Sequence, residues 1–350
     1  MTPGTEYHAL KTILALPEGV RKTMFREEPI VVRGSEIDPH TRTLLRLIEI
    51  QKRSTIDEIG RAKGASAARA AYRHYYKIGA WQSRKLPVST QNVLVPGGKH
   101  DMAARLYRPE QSESDGLLIY IHGGGGVIGD IEAYDYFNRY LTDYLGCAVL
   151  FPEYGLGPEN PFPAGVQDCI AMTRALPELT QRFAINRDKI IIGGESAGAM
   201  LSAICGHEAA EAGVAVKALW LLFGAYDELA SDKYASMKDY GTGFGLSQDL
   251  IDWFSEQYFA NGNGQFESYP MPIDLPDLQK LPKSLLRAAE YDPLFDQSPA
   301  FLEKIQSLDV HVTYRVAKGL LHGYTNLFEL IPAAKAALDE DLEWIKGEQA

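Results

Sequence analysis

The chain has 350 residues, of which 45% are hydrophobic, so it can bury the core of one large domain or of one domain with a lid. Acidic side chains outnumber basic ones by 46 to 35, and the net charge of −11 argues against nucleic acid or an anionic membrane as the main partner. No apolar run is long enough to predict membrane insertion, and residues 1–20 do not match a signal peptide.

Residues 1–85 predict helices and show no strand pattern. Pro39, directly after Asp38, is typical of a helix start, and the apolar residues that follow predict one buried face; they are Leu44, Leu45, Leu47 and Ile48. The alanine- and tyrosine-rich stretch 65–76 predicts another helix. Because the segment is too apolar to be disordered, we expect residues 1–85 to form a helical cap.

From about residue 86 the pattern changes to strands that alternate with helices. The predicted strands are 93–95, 104–107, 117–121, 148–151, 190–192, 219–223, 284–289 and 310–316. The predicted helices are 131–145, 164–176 and 299–305, with a final helix from Pro332. Strands separated by helices indicate an α/β fold for residues 86–350, with a mostly parallel sheet covered on both faces.

Residues 224–282 interrupt this alternation. They contain a predicted short helix, 250–259, with three aromatic side chains, and Asn-Gly-Asn-Gly at 261–264 predicts its end. Trp253, Phe254 and Tyr258 are equally consistent with a helix packed in the core and with a second piece of the cap over a pocket. We assign residues 224–282 to such a second cap segment.

The three cysteines are widely spaced, odd in number and without a C-x-x-C pair. Cys147, Cys169 and Cys205 therefore predict reduced, buried thiols in a cytoplasmic protein. Cys205 as a nucleophile is the alternative, but it lies in the middle of an apolar helical run, which favours core packing.

A candidate nucleophile lies in residues 189–203, where a β-branched run meets a turn of small residues and then a helix-compatible run. The turn reads G-x-S-x-G, as Gly194, Glu195, Ser196, Ala197 and Gly198. A nucleophilic serine has to stand clear of the backbone at the tip of a sharp turn, and the two glycines remove side chains that would clash there. An ordinary glycine-rich turn is the alternative interpretation.

The serine needs a base, and the base needs a carboxylate that fixes its tautomer. In a doubly wound hydrolase sheet the chain order is serine, acid, histidine, which leaves His207, His311 and His322. His207 lies far along the predicted elbow helix and His311 inside a predicted strand. His322 lies in a glycine-flanked loop after the last strand, where sites of such sheets form, so we predict His322 as the base.

The acid should follow the preceding strand. Glu290 is expected to belong to that strand still, and Asp296 to act as an ordinary helix cap. Asp292 precedes a proline, which holds it extended and directs its side chain out of the strand end. We therefore predict Asp292 as the acid, with Asp296 as the second candidate.

A run of four glycines after an early strand, at residues 123–126, is a candidate oxyanion hole. Bare backbone N–H groups can approach a substrate there, and one such donor contributes about 3 kcal/mol to transition-state stabilisation. A phosphate-binding loop is the alternative, but neither G-K-[ST] nor a suitably placed acidic residue follows. His122 precedes the serine in the chain, so we interpret it as a hydrogen-bonding residue that fixes the loop.

Together these motifs resemble the hormone-sensitive-lipase-like family of α/β-hydrolase esterases. H-G-G-G matches residues 122–125, and Y-x-L-x-P-E-x-P-F-P-A matches 154–164. D-P-L-x-D matches 292–296, and H-G-Y matches 322–324. Where the family usually has G-D-S-A-G-G, this chain has Glu195 and Ala199, and Gly126 stands where an aromatic residue is common.

The resemblance implies a triad of Ser196, Asp292 and His322. It also implies an oxyanion hole formed by the N–H groups of Gly124, Gly125 and Ala197, under a helical cap and with no cofactor or metal. The implied activity is that of a serine carboxylesterase on short- to medium-chain esters, through an acyl-enzyme. The alternatives are an amidase, deacetylase or lactonase on the same triad, a lyase, and a non-catalytic small-molecule receptor. Because family members often dimerise, a homodimer is a further expectation.

Overall fold

The computed structural model describes residues 2–79, 85–229, 233–259 and 269–349. The N-terminal part consists of α1 Pro3–Leu14, α2 Glu18–Phe25, β1 Val31–Val32, β2 Ser35–Glu36, α3 Pro39–Gln51, α4 Ile56–Lys63 and α5 Ala65–Gly79. The following part consists of β3 Val88–Val95, β4 Met102–Pro109, β5 Leu117–Ile121, α6 Ile131–Leu145, β6 Ala148–Pro152, α7 Ala164–Arg174, α8 Leu176–Arg182, β7 Ile190–Glu195, α9 Ala197–Glu211 and β8 Ala218–Leu222. The last part consists of α10 Ala235–Tyr240, α11 Gln248–Tyr258, β9 Ser284–Tyr291, α12 Gln297–Gln306, β10 Val312–Leu321 and α13 Pro332–Gln349.

One large sheet organises the described residues, with strand order β10-β9-β8-β7-β5-β6-β4-β3. The six strands from β10 to β6 in this order are parallel, whereas β4 is antiparallel to β6 and β3 is antiparallel to β4. The predicted α/β fold with a mostly parallel sheet is therefore confirmed.

The central strands are apolar throughout because both sheet faces are covered. In β5 the side chains of Leu117, Ile119 and Ile121 join a core that includes α7, α9 and α12. Those of Leu118 and Tyr120 join a second core on the opposite face, with α6, α13 and α1. This alternation of faces explains why a buried parallel strand appears in the sequence as a continuous apolar run.

Some strand bounds differ from the prediction, since β3 begins at Val88 and β10 runs from Val312 to Leu321. Two further differences have a physical explanation. The N-terminal segment is not purely helical, since β1 and β2 form a hairpin whose turn residues, Arg33 and Gly34, have φ values of 53° and 78°. Two residues per strand are too few to produce an alternation pattern. The predicted helix 164–176 ends at Arg174 and α8 follows, because Pro177 has no N–H to continue the first helix.

The N-terminal helices and α11 pack against each other. The indole ring of Trp253 lies so close to Gly60 of α4 that a Cβ there would be 2.2 Å from Trp253 Cζ2. Trp253 is buried in a cluster with Ile56, Ala65 and Ala68. The predicted helix end at 261–264 lies outside the described residues.

Candidate active site

Ser196 stands between β7 and α9 in a strained backbone conformation, with φ 56° and ψ −124°. A Cβ on Gly194 would lie 2.3 Å from the carbonyl oxygen of Ile121, and one on Gly198 would lie 2.0 Å from the same oxygen. The carboxyl end of β5 therefore lies against both glycines of the turn. This close approach is the physical reason for the two glycines of G-x-S-x-G.

The structure brings the three residues of the expected triad together. Ser196, Asp292 and His322 directly follow β7, β9 and β10, at the carboxyl edge of the sheet. His322 Nε2 lies 2.9 Å from Ser196 Oγ, and His322 Nδ1 lies 2.7 Å from Asp292 Oδ2. Asp292 is fully buried, and its other oxygen accepts a hydrogen bond of 2.8 Å from the N–H of Leu294. This arrangement directs one imidazole nitrogen at the hydroxyl and the other at the carboxylate.

The two histidines that were not chosen as the base, His207 and His311, have other positions in the fold. His207 lies in α9, and its Nε2 is 2.6 Å from the carbonyl oxygen of Pro276. His311 directly precedes β10, so the prediction that it lies inside a strand is wrong. The backbone carbonyl of His311 accepts a hydrogen bond of 3.0 Å from the N–H of Ser284.

The rejected carboxylates have structural partners. Glu290 belongs to β9 and accepts a hydrogen bond of 2.6 Å from the N–H of Gly319. Asp296 occupies the N-cap position of α12, but its side chain makes no capping hydrogen bond, so the predicted capping role is wrong. It is paired instead with Arg33 and with the N–H of Ser236. Burial acts to raise the pKa of Asp296, but these hydrogen bonds outweigh it and lower that pKa.

The glycine loop passes directly beside the nucleophile, since a Cβ on Gly123 would lie 3.1 Å from Ser196 Cβ. Gly124 and Gly125 have φ values of 103° and 61°, which glycine adopts without strain. No described residue accepts a hydrogen bond from the N–H groups of Gly124, Gly125 or Ala197. These three donors are therefore available to a ligand at Ser196.

His122 fixes the glycine loop, as its place before the serine suggested. Its Nδ1 lies 2.7 Å from the carbonyl oxygen of Gly123, and its ring stacks on Tyr154 with centroids 4.5 Å apart. Tyr154 donates a hydrogen bond of 2.9 Å to the carbonyl of His122. Burial lowers the pKa of His122 to about 4, so the ring is neutral at pH 7.

Glu195 is a buried carboxylate next to the nucleophile, and sequence reasoning assigned it no role. Its Oε1 accepts a hydrogen bond of 2.7 Å from the Tyr134 hydroxyl, and its Oε2 accepts one from the Thr325 hydroxyl. Thr325 lies three residues after His322, so Glu195 connects the serine turn to the histidine loop. Burial raises the pKa of Glu195. The only signal in the sequence was its departure from the G-D-S-A-G-G pattern.

A cavity of about 1340 Å³ opens beside Ser196 and His322 and extends between α11 and the N-terminal helices. Phe254 and Tyr258 line this cavity and contact the glycine loop. A Cβ on Gly125 would lie 2.3 Å from the Phe254 ring, and one on Gly126 would lie 2.5 Å from the Tyr258 ring. The aromatic side chains of this helix therefore have different surroundings. Trp253 packs in a core, and Phe254 and Tyr258 face the cavity.

Within residues 2–79, 85–229, 233–259 and 269–349, no cluster of three or more His, Cys, Asp or Glu side chains could hold a metal ion. The helices of these ranges include none with the length and apolar character needed to cross a bilayer.

Comparison with known proteins places these features in a family. A family model described as alpha/beta hydrolase fold matches residues 118–326. Carboxylic ester hydrolase LipN of Mycobacterium tuberculosis is 28% identical over 338 residues, which cover 95% of this chain and 88% of that protein. An acetyl esterase of Salmonella schwarzengrund is 26% identical over 281 residues, which cover 77% of this chain and 84% of that protein.

Solved structures agree with this assignment. An ester hydrolase from the metagenome of Lake Arreo has a TM-score of 0.81 at 28% identity, covering 89% of this chain and 98% of that one. The esterase of Pyrobaculum calidifontis has a TM-score of 0.80 at 27% identity, with the same coverage of both chains. The resemblance found in the motifs is thus confirmed, and the chain belongs to the family of the alpha/beta hydrolase fold.

Proposed function

We propose that the protein is a serine carboxylesterase whose catalytic residues are Ser196, Asp292 and His322. The observation that carries the proposal is the 2.9 Å contact between His322 Nε2 and Ser196 Oγ, between residues that are 126 positions apart in the chain. The names of the relatives, a carboxylic ester hydrolase and acetyl esterases, support the same reaction class.

In the acylation step, His322 takes the proton of the Ser196 hydroxyl while Oγ attacks the ester carbonyl carbon. The buried carboxylate of Asp292 holds His322 in the productive tautomer and stabilises the imidazolium that forms. The imidazolium then gives its proton to the leaving alcohol, and the acyl group stays on Ser196. In the second step His322 deprotonates a water molecule, which attacks the carbonyl carbon of the acyl-enzyme. The imidazolium then gives this proton to Ser196 Oγ as the acyl–oxygen bond breaks, which releases the carboxylic acid and restores the hydroxyl.

The negative charge that develops on the carbonyl oxygen is stabilised by the N–H groups of Gly124, Gly125 and Ala197. The support for this part is that no described residue uses these donors and that Ala197 begins a helix directly after the nucleophile. A helix N-terminus adds a positive dipole end at the point where the oxyanion forms.

We further propose that residues 1–85, together with the segment 224–282 of the catalytic domain 86–350, form one cap over the rest of that domain and enclose the substrate cavity. The packing of Trp253 against Gly60 joins the two pieces, and both pieces line the cavity. The cavity of about 1340 Å³ is large enough for short- and medium-chain acyl groups together with their alcohols.

Three further proposals concern the location and the partners of the protein. The cytoplasmic location rests on the composition and the three free, buried cysteines. The homodimer rests on the resemblance alone. The absence of a nucleic-acid partner rests on the net charge of −11.

Hydrolysis of 4-nitrophenyl esters of increasing acyl length tests the proposal, with an anilide and a lactone in the same panel to separate esterase from amidase and lactonase. We expect ester turnover, and Ser196→Ala should lower kcat by roughly a million-fold. Ser202→Ala, on the same helix, is the matched control, because the Ser202 hydroxyl only bonds the carbonyl of Gly198.

A serine-directed organophosphate should add to Ser196 alone, as read from the mass of the modified peptide. A loss of less than tenfold in Ser196→Ala, or labelling of another residue, would refute the assignment. Absence of turnover across the whole panel would favour the lyase or receptor alternatives.

A further inference from the structure

The second carboxylate of the D-P-L-x-D motif is held by the N-terminal hairpin. Arg33, in the turn between β1 and β2, forms two parallel hydrogen bonds to Asp296: Nη1 to Oδ1 at 2.7 Å and Nη2 to Oδ2 at 3.0 Å. Its Nε donates a third, of 2.7 Å, to Asp239 of α10. Such paired bonds fix direction as well as distance, so one guanidinium joins the hairpin, α10 and the loop that follows β9.

The loop held by Arg33 is the one that carries Asp292. Asp296 accepts a hydrogen bond of 2.8 Å from the N–H of Ser236, and the Ser236 hydroxyl donates one of 2.6 Å to the carbonyl of Pro293. Pro293 directly follows Asp292. The anchor of the loop is therefore one peptide unit away from the carboxylate that contacts His322.

The same hairpin region also contacts the strand that leads to the histidine. The N–H of Asp38 donates a hydrogen bond of 3.1 Å to the carbonyl of Gly319, three residues before His322. The approach is close, because a Cβ on Gly319 would lie 2.6 Å from the nitrogen of Asp38. Residues 31–38 therefore reach both β9 and β10 at their carboxyl ends.

Apolar contacts also join the hairpin region to the ends of β9 and β10. Ile37 is buried in a cluster with Tyr291 and Leu321, the two residues that directly precede Asp292 and His322. Tyr291 and Leu321 are paired across β9 and β10, after an irregularity in the ladder between Ala317 and Leu321. The Tyr291 hydroxyl also donates a hydrogen bond to the carbonyl of Ser35. Within the sheet, the Glu290 side chain spans this interruption by its bond to the N–H of Gly319, and the contacts from residues 31–38 add a second support from outside the sheet.

We propose that the hairpin formed by residues 31–36 is a clamp that fixes Asp292 relative to His322, and that Arg33 is its positioning residue. This inference rests on the proposed esterase function. Arg33 does not line the cavity, so the clamp acts on the alignment of the catalytic groups and not on substrate binding. A misplacement of about 1 Å at a catalytic group costs up to about a hundredfold in rate.

The conformation of Arg33 offers a variant that keeps the fold. Arg33 has a φ of 53°, and Asn suits this left-handed turn position at least as well as Arg. Arg33→Asn therefore removes the ion pairs and keeps the turn. Lys52→Asn is the matched control, since Lys52 also lies in the N-terminal segment with a positive φ of 49° and is exposed outside the cavity.

We expect Arg33→Asn to lower kcat on 4-nitrophenyl acetate by about ten- to a hundredfold with KM changed by less than twofold. Rates are taken per active site, counted by organophosphate titration, so that partial unfolding does not imitate the effect. Arg33→Lys, which keeps the charge but not the paired geometry, should recover part of kcat. Arg33→Asn combined with Asp296→Asn should be no slower than the slower single variant. An unchanged kcat per active site, a raised KM instead, or additive losses would overturn the clamp.

Hydrogen exchange gives a readout that does not depend on the reaction. In Arg33→Asn, but not in Lys52→Asn, the N–H of Leu294 should exchange faster, because it bonds to Asp292 inside the anchored loop. Unchanged exchange there would refute the clamp whatever the activity. If the wild type shows no ester turnover, but the N–H of Leu294 still exchanges faster in Arg33→Asn than in Lys52→Asn, the proposed function is refuted and the clamp is supported.

Discussion

The ring of Tyr258 fills the space that a side chain at Gly126 would occupy. A Cβ on Gly126 would lie 2.5 Å from Tyr258 Cδ2, and Gly126 has a φ of 69° that disfavours any other residue. The motif resemblance places an aromatic residue directly after H-G-G-G. In this chain α11 supplies an aromatic ring at that place, so one wall of the cavity comes from a distant segment.

Removing this ring should change acyl-chain preference. We expect Tyr258→Ala to raise the ratio of kcat/KM for 4-nitrophenyl octanoate over acetate by about tenfold, because a longer acyl group gains the vacated apolar volume. Tyr144→Ala is the control, since Tyr144 bonds Glu343 away from the cavity. The same octanoate-to-acetate ratio of kcat/KM in both variants would mean that Tyr258 does not limit the space for the acyl group.

The parts of the structure that the sequence predicted well are those specified by local pattern and chain order. The strand 117–121 and the helix 131–145 have the predicted bounds, because a fully buried parallel strand and an amphipathic helix each carry a strong periodic signal. That Asp292 and His322 lie close together could be predicted because each follows a predicted strand, and strand ends of a parallel sheet meet at one edge.

The parts that escaped prediction depend on contacts between distant segments. Arg33 and Asp296 are 263 positions apart, and the hairpin that carries Arg33 is too short for a periodic pattern. Glu195 meets Thr325 from 130 positions away. Neither contact leaves a local signature, since any surface arginine or buried glutamate would look the same in the sequence.

The two carboxylates of the D-P-L-x-D motif should differ sharply in their effect on catalysis. Asp292→Asn should lower kcat by about ten-thousandfold, because an amide at that position favours the wrong tautomer of His322. Asp296→Asn removes only an anchor of the loop, so we expect a loss of no more than about a hundredfold. Steady-state kinetics at pH 7.5 on 4-nitrophenyl acetate checks the ranking, and the reverse order would make Asp296 the acid.

Glu195 should contribute to stability as well as to alignment. Glu195→Ala leaves the Thr325 hydroxyl without its acceptor and leaves the Tyr134 hydroxyl with Tyr72 as its partner, at a cost of about 2 to 4 kcal/mol in the free energy of unfolding. Thr325→Val, which removes one of the two donors and keeps the shape, should cost about 1 kcal/mol. Urea unfolding of both variants measures this, and a change below about 0.5 kcal/mol in Glu195→Ala would contradict a structural role for the carboxylate.

His122 should make the protein less stable in mild acid. Its pKa is about 4 in the folded protein, against about 6.5 in an unfolded chain. Between these two values the unfolded state binds more protons than the folded state, so stability is present above pH 6.5 and falls as the pH falls towards 4. The fall between pH 7 and 4.5 should amount to about 2 kcal/mol in the free energy of unfolding.

The comparison of wild type with His122→Asn isolates this contribution from the other groups that titrate in the same range. An asparagine amide can still donate to the carbonyl of Gly123, the bond that the His122 ring makes in the structure, but it does not titrate. Urea unfolding at pH 7.0, 5.5 and 4.5 should therefore show the wild type losing about 2 kcal/mol more than the variant over this range. Parallel pH profiles would mean that the imidazole is already accessible to protons in the folded protein, which contradicts its burial beneath Tyr154.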